Sequence, residues 1–239
     1  MTQNRLAFET DDTSTTCMTS ASAPAADALP RYAVLCCPGC CGRLIDDEEL
    51  LRCENCNREF PVEDGIPLLR MDQSAYFGEF ARESMHALLK SIVKEDLEEA
   101  VAKLLREQDA PRRLGEYIMG SGRAGWKYLL PIRETSDVLD LGCGWGTIGL
   151  SLAESCGSVV ATDSTVERMK FLKLRAEHAG KNNVSTVCAG DGRFLPFEDD
   201  SFDIVVVNGV LEWVPSGTPG DPRAVQLAFL REIRRVLRA

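Results

Sequence analysis

The chain has 239 residues and a formal net charge of −10, room for one ordinary domain and a small appendage, since domains most often run about 100–150 residues. Hydrophobic residues at 44% and charged residues at 27% exclude a wholly disordered chain, and no apolar run approaches the roughly 20 residues of a bilayer-spanning helix. With 27 basic against 37 acidic side chains, a broad basic surface gripping nucleic acid by its phosphates is disfavoured.

Residues 1–31 read as a disordered leader: most of the stretch is Thr, Ser, Ala and Asp, it follows neither the period of about 2 of a strand nor the period of about 3.6 of a helix, and it lacks the basic start and apolar core of an export signal. The cytoplasm is the expected location. Residues 32–72 hold six cysteines, Cys36, Cys37, Cys40, Cys41, Cys53 and Cys56. In a chain without an export signal such a cluster reads as metal binding before it reads as disulfides. Cys37-Pro38-Gly39-Cys40 and Cys53-Glu54-Asn55-Cys56 are two CxxC pairs separated by twelve residues. Thiolates projecting from two tight turns at this spacing close a tetrahedral Zn²⁺ site with every position filled by protein, hence a structural one. A dithiol redox pair is the competing reading, but it needs only one CxxC. Cys36 and Cys41 leave a second register open. A unit of about 40 residues has too little apolar surface to stabilise itself, so the metal is expected to supply much of its folding free energy.

Residues 73–135 read as a helical linker or cap, with Leu88, Leu89, Ile92, Val93, Leu97, Val101, Leu104 and Leu105 at spacings of three and four. Pro111 and the stretch Gly115 to Gly125 are expected to break that helix. His86 and His178 fall in helical segments and read as ordinary histidines.

Residues 136–239 alternate short apolar strands with amphipathic helices, in the order β-α-β-α-β-β-α, which predicts an α/β fold: a doubly wound, Rossmann-like parallel sheet. The strands are expected at 138–141, 158–162, 184–189 and 202–208. A helix is expected over 147–156, closed by Gly157. Another follows a capping box made by Ser164 and Glu167, with Val166, Met169, Leu172 and Ala176 on its buried face. The last is capped by Asp221, starts at Pro222, and carries Val225, Leu230, Ile233 and Leu237 as its apolar stripe. Arg231, Arg234, Arg235 and Arg238 read as a solvated face near the helix C-terminus.

Between the first strand and its helix lies Asp140-Leu141-Gly142-Cys143-Gly144-Trp145-Gly146. Alternating glycines there allow a tight turn and the close approach of a ligand to the backbone. Two cofactors compete for such a loop. Gly144 to Gly149 fits GxGxxG, and Asp163 follows at the end of the second strand, where a dinucleotide fold places its ribose carboxylate. Asp140, two positions before the first glycine, and Asp191, after the third strand, favour a cation instead, as the sulfonium of S-adenosylmethionine carries. Asp163 also suits a plain helix cap.

From Val138 to Ala239 the chain resembles the class I S-adenosylmethionine-dependent methyltransferases that act on small molecules, lipids, sugars and some RNAs. Val138-Leu139-Asp140-Leu141-Gly142-Cys143-Gly144 resembles the first motif of that family, Val160-Ala161-Thr162-Asp163 the second, Gly190-Asp191-Gly192 with Leu195-Pro196-Phe197 the third, and Asp200-Ser201-Phe202-Asp203-Ile204-Val205 the start of the fourth. The resemblance implies that Asp140 and the loop Gly142, Cys143, Gly144 and Gly146 line the methionine half, that Asp163, with Ser164 beside it, holds the ribose, and that Asp191 and Gly192 face the adenine. Asn208 closes the set after the fourth strand. Many relatives carry a histidine where Trp213 stands, so no catalytic residue is assigned; Glu212 is a weak candidate base. The motif used to methylate exocyclic amines of bases is absent. The segment 33–70, with Phe60-Pro61-Val62-Glu63-Asp64-Gly65-Ile66-Pro67-Leu68-Leu69, resembles the short zinc-ribbon proteins that activate tRNA and protein methyltransferases by shielding an apolar edge; here a stabilising or substrate-presenting role within one chain is implied.

A full sheet of that family has seven strands, whereas four are legible here, so the domain reads as truncated or completed by a partner or by self-association at the open edge of Ile204–Val207. The function expected is methyl transfer to an unidentified acceptor, a small molecule in preference to nucleic acid. A non-catalytic cofactor-binding or assembly module, and a nicotinamide-dependent oxidoreductase, are the alternatives.

Overall fold

The computed structural model describes residues 34–47, 49–71, 76–190, 194–214 and 221–239. All of them fall in one unit, Val34–Ala239. The expected leader, and Asp191 and Gly192, lie outside the described residues.

The first strands form an antiparallel meander: β1 (Leu44–Asp47), β2 (Leu50–Cys53), β3 (Glu59–Glu63) and β4 (Ile66–Leu69). Asp64-Gly65 makes the two-residue turn between β3 and β4, with Glu63 paired to Ile66. The second set is parallel: β5 (Asp137–Leu141), β6 (Ser158–Asp163), β7 (Val184–Ala189) and β8 (Ile204–Val207). Val138 to Leu141 are buried to a residue, as a strand covered on both faces must be. The two sets are one sheet. β4 runs parallel to β7, pairing Leu68 with Cys188 and Leu69 with Ala189, so the order is β1-β2-β3-β4-β7-β6-β5-β8. The cysteine-bearing meander therefore occupies what would otherwise be the bare edge of β7, a position that invites pairing with other chains. At the other end β8 pairs only with β5 among the described residues, with Trp126 and Leu130 beside Ile204 to Asn208.

The helices are α1 (Arg82–Ile92), α2 (Leu97–Glu107), α3 (Arg112–Met119), α4 (Thr147–Leu152), α5 (Val166–His178) and α6 (Pro222–Val236), with a 3-10 helix over Gly122–Leu129. None is long and apolar enough to cross a membrane. α5 packs on β4, β6 and β7, and α1 packs on α5. The core of the sheet gathers Val138, Leu152, Val159, Ala161, Met169, Leu172 and Cys188; a second cluster joins Met85, Leu88, Val101 and Ile118 to Trp145 and Phe171.

Several expectations are corrected. The apolar periodicity of residues 88–105 continues across two helices: Asp96 starts α2 by accepting the N–H groups of Glu98 and Glu99 at 2.8 and 3.3 Å, and Val93, in the turn, is 76% exposed. Pro111 starts α3, and Gly115 lies inside it. α4 ends at Leu152, short of the expected 156. There is no capping box at Ser164. α5 begins after Thr165, and Glu167 is buried, where Arg82 and His86 Nε2 meet it at 3.1 and 3.4 Å. Asp221 does cap α6, through the Arg223 N–H at 3.1 Å, but Phe229 and Val236 are its buried residues while Leu230 is 46% exposed. Arg235 and Arg238 are not free on a solvated face. Arg235 donates to the carbonyls of Leu195 and Phe197 and pairs with Glu232 and Asp199; Arg238 pairs with Asp137 at 2.9 Å and Asp203 at 3.1 Å. Helical periodicity cannot reveal this, because the partner carboxylates and carbonyls come from other elements.

Candidate cofactor site and cysteine cluster

Parallel pairing sets the carboxyl ends of three strands side by side: Leu141 lies between Thr162 of β6 and Val207 of β8. A crevice at strand ends, where loops leave for both faces, is where open α/β sheets bind ligands. The loop that follows β5 is tied to β6 by two bonds, from the Cys143 N–H to the Thr162 carbonyl at 2.8 Å and from the Gly144 N–H to Asp163 Oδ2 at 3.0 Å. Gly142 lies against the side chain of Val210, in the segment after β8. Cys143 is partly buried against the sheet core, and Trp145 is buried edge-on between Phe80 and Phe171, so both shape the loop.

Asp163, 7% exposed, is held on every side. Oδ1 accepts the Thr165 N–H at 2.9 Å, in the turn that precedes α5, while Oδ2 accepts the Gly144 N–H and meets Arg168 Nη1 at 3.4 Å. Arg168 also binds Glu79, and Glu79 accepts the indole N–H of Trp145 at 3.3 Å. The plain helix-cap reading is corrected: Thr165 is the N-cap of α5, no side chain caps that helix, and the Asp163 carboxylate ties the turn before α5 to the glycine loop. Ser164 turns its carbonyl to Arg70 Nη1 at 2.5 Å. Asn208, next after β8, accepts from Arg123 Nη2 at 3.0 Å, and Arg123 stacks on the Tyr117 ring at 4.2 Å.

Asp140 is 2% exposed, and its Oδ2 has no hydrogen-bond partner among the described residues. Burial pushes its carboxyl up to about 7; the backbone N–H of Gly149 and the charge of Arg123 oppose this, and the charge of Asp163 adds to it. The folded chain therefore keeps a proton that the unfolded chain has released above about pH 4. Stability is lost as pH rises from about 4 to about 7, by at most about 4 kcal/mol. Asp140→Asn is expected to remove this fall. Denaturant unfolding at pH 5 and pH 8 checks it: the variant should gain on the wild type by a few kcal/mol at the higher pH, and equal pH slopes in the two proteins would contradict it.

The sequence-predicted residues Asp140, Gly142, Cys143, Gly144, Gly146, Asp163, Ser164 and Asn208 are thus brought to one end of the sheet. Arg70, Glu79, Arg123 and Arg168 were not foreseen, since only the folded chain brings them there. Nor was the exposed edge-on pair of Phe77 and Trp213, 6.4 Å between ring centres, in which Phe77 also accepts the Thr165 hydroxyl through its carbonyl. Glu212 is exposed in the turn after β8.

In the meander, Cys37, Cys40, Cys53 and Cys56 bring their Sγ atoms within 4.8 Å of one another, with Cys37–Cys56 at 3.7 Å and Cys40–Cys53 at 3.4 Å. A tetrahedron with metal–sulfur bonds of about 2.3 Å has sulfur–sulfur edges of roughly 3.8 Å, so the donor set fits Zn²⁺. Cys36 and Cys41 are not in the cluster.

Sheet order and the strand-end glycine loop define a Rossmann-like α/β domain. Residues 139–239 match the methyltransferase domain family. It is 32% identical over 104 residues to the demethylmenaquinone methyltransferase of Lactococcus lactis, covering 42% of this chain and 37% of that protein. The mitochondrial arginine-hydroxylase NDUFAF5 of Mus musculus is 38% identical over 88 residues, 34% of this chain and 22% of that one. Among solved structures, an S-adenosylmethionine-dependent methyltransferase from Aquifex aeolicus aligns at 22% identity with a TM-score of 0.41, over 56% of this chain and 65% of that chain. The chain spans less than half the length of these two curated relatives.

Proposed function

We propose that this chain is a cytoplasmic enzyme that binds S-adenosylmethionine at the carboxyl ends of β5, β6 and β8 and delivers its methyl group to a small acceptor. One observation carries the reading: Oδ2 of Asp140 is buried with no hydrogen-bond partner among the described residues, and nothing stands within 4 Å of a Cβ built on Gly144 in the loop that follows. A buried carboxyl with an open acceptor beside bare main chain fits a cationic ligand that lies on the backbone, whose charge would favour the ionised form. Asp140 with Gly142, Cys143, Gly144 and Gly146 would hold the methionine half, Asp163 and Ser164 the ribose, Asp191 and Gly192 the adenine, and Asn208 the side facing β8. When bound, the cofactor supplies a sulfonium-activated methyl group, so an acceptor lone pair forms the new bond to carbon while the carbon–sulfur electron pair returns to sulfur. The chain's own task is alignment and exclusion of water. The acidic balance of the chain and the exposed Phe77–Trp213 pair favour a small acceptor with apolar surface over nucleic acid. Cys37, Cys40, Cys53 and Cys56 would hold a structural Zn²⁺ that keeps the meander folded on β7.

Isothermal titration of the full chain with S-adenosylmethionine is expected to show one site, weakened about tenfold or more by Asp163→Asn, which removes a charged acceptor. Incubation with labelled cofactor and cell extract should then move label to a small-molecule fraction. An absence of binding would sink the cofactor assignment. Binding with no label transferred to any fraction would leave a binding module in place of an enzyme.

A further inference from the structure

The meander and the cofactor site are joined at two places. Arg70, which follows β4, is 5% exposed, and it donates to the Ser164 carbonyl at the end of β6. That carbonyl and the Thr165 N–H belong to one peptide unit, and the N–H is bound by Asp163 Oδ1 at 2.9 Å. The peptide is therefore gripped at both ends, by a guanidinium from the meander and by the carboxylate proposed for the ribose. At the second place, the Cys36 N–H donates to the Pro196 carbonyl at 3.0 Å, the Glu198 N–H donates to the Val34 carbonyl at 2.9 Å, and Leu35 bridges to Phe197. Cys36 adjoins Cys37, one of the four clustered thiols. β4 also pairs with Ala189, and Gly190 lies against Arg70. The meander so fixes the chain at 189–190 and again at 196–198, on either side in sequence of the residues proposed for the adenine.

We infer that Arg70 is a positioning residue for the nucleoside half of the cofactor, acting through the Ser164–Thr165 peptide on Asp163, so that the cysteine-bearing meander builds one wall of the site. The inference rests on the S-adenosylmethionine reading above. A buried guanidinium has to be hydrogen-bonded, and a charge-assisted bond to a carbonyl fixes the plane of that peptide. With Arg70 removed the peptide can rotate, its N–H leaves Oδ1, and the carboxylate loses the orientation in which its other oxygen holds Gly144.

The test is calorimetric affinity for S-adenosylmethionine at a temperature where far-ultraviolet circular dichroism shows each variant folded. Arg70→Met is expected to weaken binding about tenfold, and Arg70→Lys, which keeps a single charged donor, about threefold. In an Asp163→Asn background the cost of Arg70→Met should shrink to under about threefold, because residues that act through one another are not additive. Should Arg70→Met fail to fold, the same cycle is run with Arg70→Lys, whose cost should vanish in the Asp163→Asn background. A merely structural Arg70 predicts a lower melting temperature with wild-type affinity in the folded variants. That result, or an equal loss with and without Asp163→Asn, overturns the inference while the cofactor reading stands. A wild-type chain without affinity for S-adenosylmethionine overturns both.

Discussion

Chelation of the metal proposed for Cys37, Cys40, Cys53 and Cys56, or the substitution Cys53→Ser, is expected to lower the melting temperature of the chain by about 10 °C or more. The apolar interior of the meander is small: Leu51 and Phe60 are the large buried side chains of its first three strands, with Cys37 and Cys53 also buried, while Ile66 and Leu68 of β4 pack into the core of the parallel sheet. Structural zinc contributes on the order of 10 kcal/mol to the folding of units this size. Loss of the meander takes more with it than its own residues, since β4 then leaves Cys188 and Ala189 at a bare strand edge and Arg70 leaves Ser164. For a chain of this length each kcal/mol moves the melting point by about 2–4 °C, so a coupled loss of even about 4 kcal/mol reaches the expected shift. Scanning calorimetry with and without chelator, alongside metal analysis of the purified chain, decides it. One zinc per chain and a large downward shift are expected, with light scattering rising as the β7 edge is uncovered. A chain purified free of metal that melts at the same temperature would show that the thiols hold the turns without an ion.

The second large effect lies in the glycine loop and separates its two jobs. Gly146 has a φ of +79°, and a Cβ placed on it would fall 2.0 Å from Leu172 Cδ1 in the sheet core. Leu172 is fully buried and has nowhere to retreat. Gly146→Ala therefore combines a left-handed backbone penalty of about 1–2 kcal/mol with an overpacking cost of about 1–3 kcal/mol, and about 3 kcal/mol of stability should be lost. Gly144, at φ +55°, has open space above it. Gly144→Ala should cost only about 1 kcal/mol of stability, yet it puts a methyl group where the cofactor is proposed to lie, and affinity for S-adenosylmethionine should fall. Denaturant unfolding and titration of the two variants give four numbers. A Gly144→Ala protein with wild-type affinity would mean that the loop is a turn between strand and helix and no more.

What could be read before folding was local in cause. Each strand of the parallel set is a short apolar run that only a doubly covered sheet accommodates, the Asp221-Pro222 start of α6 is written in two adjacent residues, and the two CxxC pairs carry their own turns. Asp140, the alternating glycines and Asp163 were legible for the same reason, since strand, loop and next strand follow in sequence and parallel pairing leaves little choice about where their ends meet. Where the reading failed, the cause was distant. The spacing from Ser164 suggests a cap for Glu167, but Arg82 and His86 of α1 hold its carboxylate in the interior, and no side chain caps α5. Leu230 was placed in a buried stripe that the packing gives to Phe229 and Val236.

The sequence determined the chemistry available: buried carboxylates at strand ends, a backbone stripped of side chains beside them, and four thiols at a metal's spacing. Only the tertiary structure decided that the cysteine-bearing meander and the parallel strands are one sheet, because strand pairing is made by backbone groups that every residue carries and no side-chain pattern encodes which edge another strand will take.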